Sequence, residues 1–123
     1  MSEPLYFEGL EVGRTWTSPR RTLTETDLVL FAGLTGDNDP LHMDRHFAEQ
    51  TPYRQPLVHG LLGMALVAGL ASQHPRICTS AFLAVREWCF LAPLHVGDTV
   101  YAVTEVARLT PHGRRNGLVV WDR

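Results

Sequence analysis

The chain contains no lysine, only two cysteines, and no apolar run long enough to cross a bilayer. All eleven basic residues are arginine, set against thirteen acidic ones, and the formal net charge is −2 over 123 residues. That balance provides no basic stripe of the kind that follows a phosphate backbone, so nucleic acid is not an expected partner. Cys78 and Cys89 lack CxxC or CxxH spacing, and both are expected to be buried thiols in a reducing compartment. The apolar stretch Leu57–Ala71 is interrupted by His59 and falls short of the roughly 18–20 residues that a membrane helix needs. The opening "MSEPLYFEGLEVG" carries Glu3 and Glu8 and has no basic flank followed by an apolar run, unlike a signal peptide. A cytoplasmic location is expected, with no membrane contact.

What remains is an ordinary globular composition, 45% hydrophobic and 20% charged, expected to form one domain over residues 1–123. "RTWTSPRRTLT" reads as an irregular or edge strand broken at Pro19. Thr24 followed by Asp27 resembles a helix start, with Leu28, Phe31, Ala32 and Leu34 as its apolar stripe. Gly36 should end that helix, and Pro40 pushes Asp39 out of the helical region. A second short helix is expected around residues 44–50, then a turn at "TPYRQP". "LVHGLLGMALVAGLASQHP" follows, a helix apolar on nearly all faces and rich in small residues, as expected of one enclosed by a sheet. From Thr79 onward the pattern is extended, with Val100, Ala102 and Thr104 on one side and Tyr101, Val103 and Glu105 on the other. The expected class is therefore α+β: a long buried helix followed by an antiparallel meander. The last segment reaches Arg123 in mid-strand, so at least one further strand is expected to be missing.

Two segments carry candidate chemistry. In "TGDNDPLHMD" (35–44), Asp37 and His42 flank Pro40, which bars them from sharing a helical face and requires a folded loop. A carboxylate beside an imidazole suits general acid–base work, while Asp, Asn and Pro are equally the usual residues of a polar turn. In "VHGLL" (58–62), Gly60 at a helix start leaves a backbone N–H directed beyond the helix end, where negative charge is favoured. Close helix packing would explain Gly60 as well, and a polar helix-start position would explain His59.

Together, "FAGLTGDNDPLHMDRHFAEQTPYRQPLVHGLLGMAL" (31–66) resembles the hydratase motif of the MaoC-like dehydratases and (R)-specific enoyl-CoA hydratases, with a looser match through "FLAPLHVGDTVYAVTEV" (90–106). The resemblance implies a hot-dog fold, a long helix wrapped by an antiparallel sheet, and a homodimer or higher homo-oligomer. It implies that Asp37 and His42 are the catalytic pair and that Gly60 donates to a thioester carbonyl. His59 beside Gly60 is a further candidate substrate-binding residue, and the acyl pocket is expected along the helix beyond Gly60, where small Ala65 leaves room for a chain. The expected reaction is reversible hydration of a 2-enoyl-CoA to a 3-hydroxyacyl-CoA, with R configuration. The chain departs from the motif at Asp39, where Asn is usual, and at Thr35, where Ser is usual.

Coenzyme A, or acyl carrier protein, would enter as part of the substrate, and Arg76, Arg86 and Arg114 are conceivable phosphate contacts. No metal or other cofactor is expected: His42, His46 and His59 lack a third ligand set, and His46 is expected at the surface. Two alternatives stand beside the hydratase reading, a hot-dog acyl-CoA thioesterase and a non-catalytic acyl-CoA-binding subunit.

Overall fold

Helix α1, Glu25–Thr35, begins and ends where its sequence signals stand. The Thr24 hydroxyl accepts from the Asp27 main-chain N–H at 3.3 Å, and the Asp27 carboxylate accepts in return from the Thr24 N–H at 2.8 Å. This reciprocal pair satisfies donors that the first helical turn leaves without intrahelical partners. At the other end Gly36 takes φ 79°, a left-handed conformation that glycine adopts without Cβ strain, and its N–H returns to the Ala32 carbonyl. Leu28 and Ala32 are buried as expected, whereas Leu34 is exposed. Six residues turn a helix through about 600°, so Leu34 lies well off the Leu28 face.

The computed structural model describes residues 3–123. Their contacts divide into two compact units, the second made of Arg20–Leu66 and Arg86–Val100. In that second unit a core forms from Leu23, Leu28, Val58, Leu62 and Leu66, with Phe31, Leu94 and Val100 packed against it. Each such leucine contributes at most about 1.5–3 kcal/mol by leaving water. Short strands β2 (Arg21–Thr22) and β3 (Thr99–Val100) pair antiparallel beside this core. Two short helices follow α1: α2, Pro40–Met43, and α3, Arg45–Glu49, the latter capped by Asp44.

The first unit takes residues up to Pro19, Val67–Val85 and Tyr101–Arg123. Here β1 (Thr15–Thr17), β4 (Val103–His112) and β5 (Asn116–Asp122) form one antiparallel sheet in the order β1-β4-β5. The alternation read from the sequence holds: Ala102, Thr104 and Val106 are buried, while Tyr101 and Val103 are exposed. Trp16 on β1 and Trp121 on β5, the two strands that flank β4, meet edge to face at 6.2 Å.

Three expectations need correction. Helix α4, Gly60–Ala71, buries Leu62, Leu66 and Ala71 but exposes Leu61, Ala65, Ala68 and Gly69, so in the single chain it is covered along one side. An apolar composition states what a helix can bury, not what the chain supplies to cover it. Residues 81–91, read as a strand, join no ladder among the described residues, because no neighbouring strand offers them backbone partners. Cys78 and Cys89, expected to be buried, are exposed. No helix among the described residues is long and apolar enough to cross a membrane.

The α1 start also sets an acid limit on stability. Burial alone would raise the Asp27 pKa. The bonds from the Thr24 N–H and hydroxyl, with the Arg21 guanidinium alongside, outweigh that effect and hold it below the ordinary carboxylate value. A carboxylate depressed on folding stabilises above its unfolded pKa, near 3.9, and the contribution disappears as pH falls through the lower folded value. Asp27→Asn should therefore lower stability by about 0.3–1 kcal/mol at neutral pH. The difference in Tm from wild type should shrink as pH falls below about 4, as thermal melts across pH 3–7 would reveal.

Candidate active site

The loop after α1 is built from short-range hydrogen bonds of its own polar residues. The Thr35 hydroxyl accepts from the Asp37 N–H at 3.2 Å, and the Asn38 N–H donates to the Gly36 carbonyl at 3.0 Å. Asp39 caps α2, its carboxylate accepting from the Leu41 N–H at 2.9 Å while Pro40 occupies the first helical position. Pro40 thus begins a helical turn as well as ending the loop, since its missing N–H costs nothing there. His42 rides on that turn, and Asp37 precedes it by the span of the loop.

The loop brings the two predicted partners face to face. His42 Nε2 lies 3.9 Å from the Asp37 carboxylate, too far for a direct hydrogen bond and suited to a bridging water. The imidazole is 14% exposed and the carboxylate 49%, so one partner is anchored and the other faces solvent. On the far side of the ring, His42 Nδ1 is 2.8 Å from the Leu57 carbonyl. A carbonyl only accepts, so Nδ1 carries the proton, and Nε2 of the neutral ring presents a bare lone pair to Asp37.

His59 is drawn into the same cluster. It is 2% exposed, its Nε2 donates to the Asp37 main-chain carbonyl at 3.0 Å, and its ring stacks on His42 at 4.0 Å with a 25° tilt. The segment Leu57–His59 therefore holds both members of the pair, one through a carbonyl and one through a side chain. Gly60 follows as the first residue of α4, and its N–H has no hydrogen-bond partner among the described residues. Beside it opens a cavity of about 230 Å³ lined by Phe31, Thr35, Asp37, His59, Gly60, Leu61 and Phe90. A Cβ on Gly60 would come within 3.2 Å of the Phe90 ring, so glycine permits this close approach.

Asp37, His42, His59 and Gly60 thus lie in one cluster, and Ala65 stands apart from it. It is exposed one turn beyond Leu61 and does not line the cavity. His46 is exposed on α3. Asp37, His42 and His59 each direct one potential ligand atom within 4.8 Å of the others, a grouping the sequence spacing did not suggest. Two imidazoles stacked face to face aim their in-plane lone pairs along nearly parallel planes instead of at one point, a poor match for a metal ion. Phe31, Thr35, Leu61 and Phe90 were not anticipated as lining. Phe31 and Thr35 lie one turn apart on α1, a periodicity that could have marked them. Phe90 comes from the segment misread as a strand.

The MaoC like domain model matches residues 10–120 of the chain. The 3-hydroxybutyryl-CoA dehydratase of Methylorubrum extorquens is 38% identical over 112 residues, covering 90% of this chain and 69% of that protein. The (R)-specific enoyl-CoA hydratase of Rhodospirillum rubrum is 33% identical over 107 residues, covering 86% and 72%. Among solved structures, a monoamine oxidase regulatory protein from Archaeoglobus fulgius superposes with a TM-score of 0.87 at 34% identity, covering 96% of this chain and 80% of that one.

Proposed function

We propose that this chain, which belongs to the MaoC-like dehydratase family and has its α+β hot-dog fold, catalyses the reversible hydration of a trans-2-enoyl thioester to a 3-hydroxyacyl thioester. The observation that carries this is the Asp37–His42 pair, 3.9 Å apart beside a cavity that Gly60, the first residue of helix α4, also lines. Asp37 and His42 hold one water between them. The Gly60 N–H polarises the thioester carbonyl and draws electron density from C3. As the water oxygen bonds to C3, its proton passes to the His42–Asp37 pair, the C2–C3 π electrons move toward the carbonyl, and the enolate-like oxygen is held by the N–H. A proton then returns from the pair to C2, leaving water added across the double bond and the enzyme unchanged. Preorganised donors of this type supply about 3–4 kcal/mol each.

The acyl group enters the cavity beside Phe31, Leu61 and Phe90, and its CoA or carrier-protein arm stays outside. The product has R configuration, by likeness to the relatives named for it. The working form is a homodimer, and the reaction needs no metal or other cofactor. Incubation with crotonyl-CoA tests the reading: enoyl absorbance should fall without release of free thiol. Release of thiol would instead point to hydrolysis at C1, and no change in either signal would remove the hydratase assignment for this substrate.

A further inference from the structure

We propose that His59, at the edge of the cavity, acts chiefly as a positioning residue, resting on the hydratase reading above: it fixes Asp37 through the main chain and backs the His42 ring. Among the hydrogen bonds of residues 36–39, all but one close within a few residues of the loop itself. The exception is the Nε2–H bond from His59 to the Asp37 carbonyl, which spans 22 residues. It is the one hydrogen bond by which residues 36–39 themselves are tied to the segment before α4. The turn that follows is tied there separately, by the Leu57 N–H to the Leu41 carbonyl and by His42 Nδ1 to the Leu57 carbonyl. The His59 ring meanwhile lies against His42 at 4.0 Å and against Phe31 at 4.9 Å, which limits how far the His42 imidazole can swing.

The chemistry at the other ring nitrogen argues against packing as the reason for a histidine. Because Nε2 carries the proton, Nδ1 of the neutral ring is an acceptor. It is buried and has no partner among the described residues. Buried acceptors are nearly always paired, and leaving one unpaired costs stability. An apolar side chain there would avoid that penalty, so packing alone does not call for histidine. The donated bond to Asp37 does.

Steady-state kinetics with crotonyl-CoA on His59→Phe, His59→Gln and His59→Leu, each also combined with Asp37→Asn, test this. His59→Phe keeps the ring and loses the donor. It should leave KM within about twofold while kcat falls on the order of 10²-fold, the usual effect of a small misplacement, with Tm followed in parallel because the larger ring enters a buried site. His59→Gln keeps an amide donor and should recover part of kcat, and His59→Leu should be slowest. Each change should add little to Asp37→Asn, because it acts through that residue.

Amide hydrogen exchange gives a readout that does not depend on turnover. Exchange at residues 37–39 should be faster in His59→Phe than in wild type, and closer to wild type in His59→Gln. Unchanged exchange together with unchanged kcat would overturn the proposal, and so would a rise in KM alone, which would make His59 a substrate contact. If wild type does not hydrate the substrate yet His59→Phe loosens the loop, the positioning role stands and the functional reading falls.

Discussion

Asp37→Asn and His42→Ala are each expected to lower kcat for enoyl-CoA hydration by about 10²–10⁴-fold, the range for a positioned acid–base group. Asparagine keeps the size of Asp37 and its contact with the Asp39 N–H, but it can neither take nor return a proton. Alanine at 42 removes the Nε2 lone pair and the bond to Leu57, with the stacked His59 ring left in place. Since the two groups share one water, the double variant should be little slower than the slower single variant. KM should change less than kcat, because neither side chain is asked to hold the CoA arm. Stopped-flow or steady-state loss of enoyl absorbance, with product chirality checked by a stereospecific dehydrogenase, measures all of this. Activity unchanged in both single variants would remove the pair from the mechanism.

Much of the fold around this pair could be read from local chemistry. The α1 cap, the Gly36 stop and the alternation of residues 100–105 are decided within a few residues, so the sequence displays them directly. The role of Asp39 also becomes local once seen, because its carboxylate caps α2, a task that asparagine performs as well. The pairing of Asp37 with His42 came from the motif, but its geometry depends on Leu57 and His59, which lie 15 and 22 residues from their hydrogen-bond partners. No periodicity reports such contacts. Likewise, "SAFLAVREWCFLA" has the composition of a strand, yet strand formation requires a neighbour, and a one-dimensional pattern carries no information about which neighbours are present. Small size on the apolar helix is all that marks Ala65, a property it shares with residues that do not line the cavity.

Gly60→Pro should give the second large loss, and it isolates the backbone donor from the side chains. Proline is favoured at the first position of a helix, where its absent N–H has no intrahelical partner and its φ is already helical, so α4 should remain formed. Its ring would collide with Phe90, which stands 3.2 Å from the position of a Cβ, so the comparison belongs in a Phe90→Ala background. Phe90 is 61% exposed, and truncating it should cost the fold little. In that background Gly60→Ala adds a methyl group but keeps the N–H, whereas Gly60→Pro adds similar bulk and removes it. The expected result is a kcat for Gly60→Pro about 10²–10³-fold below that for Gly60→Ala, the range for loss of one oxyanion donor, with matching circular dichroism and Tm. Equal rates in the two variants would mean that the carbonyl is polarised elsewhere. Because the Asp37–His42 pair is untouched in both, a loss confined to Gly60→Pro belongs to the N–H at the start of α4 alone.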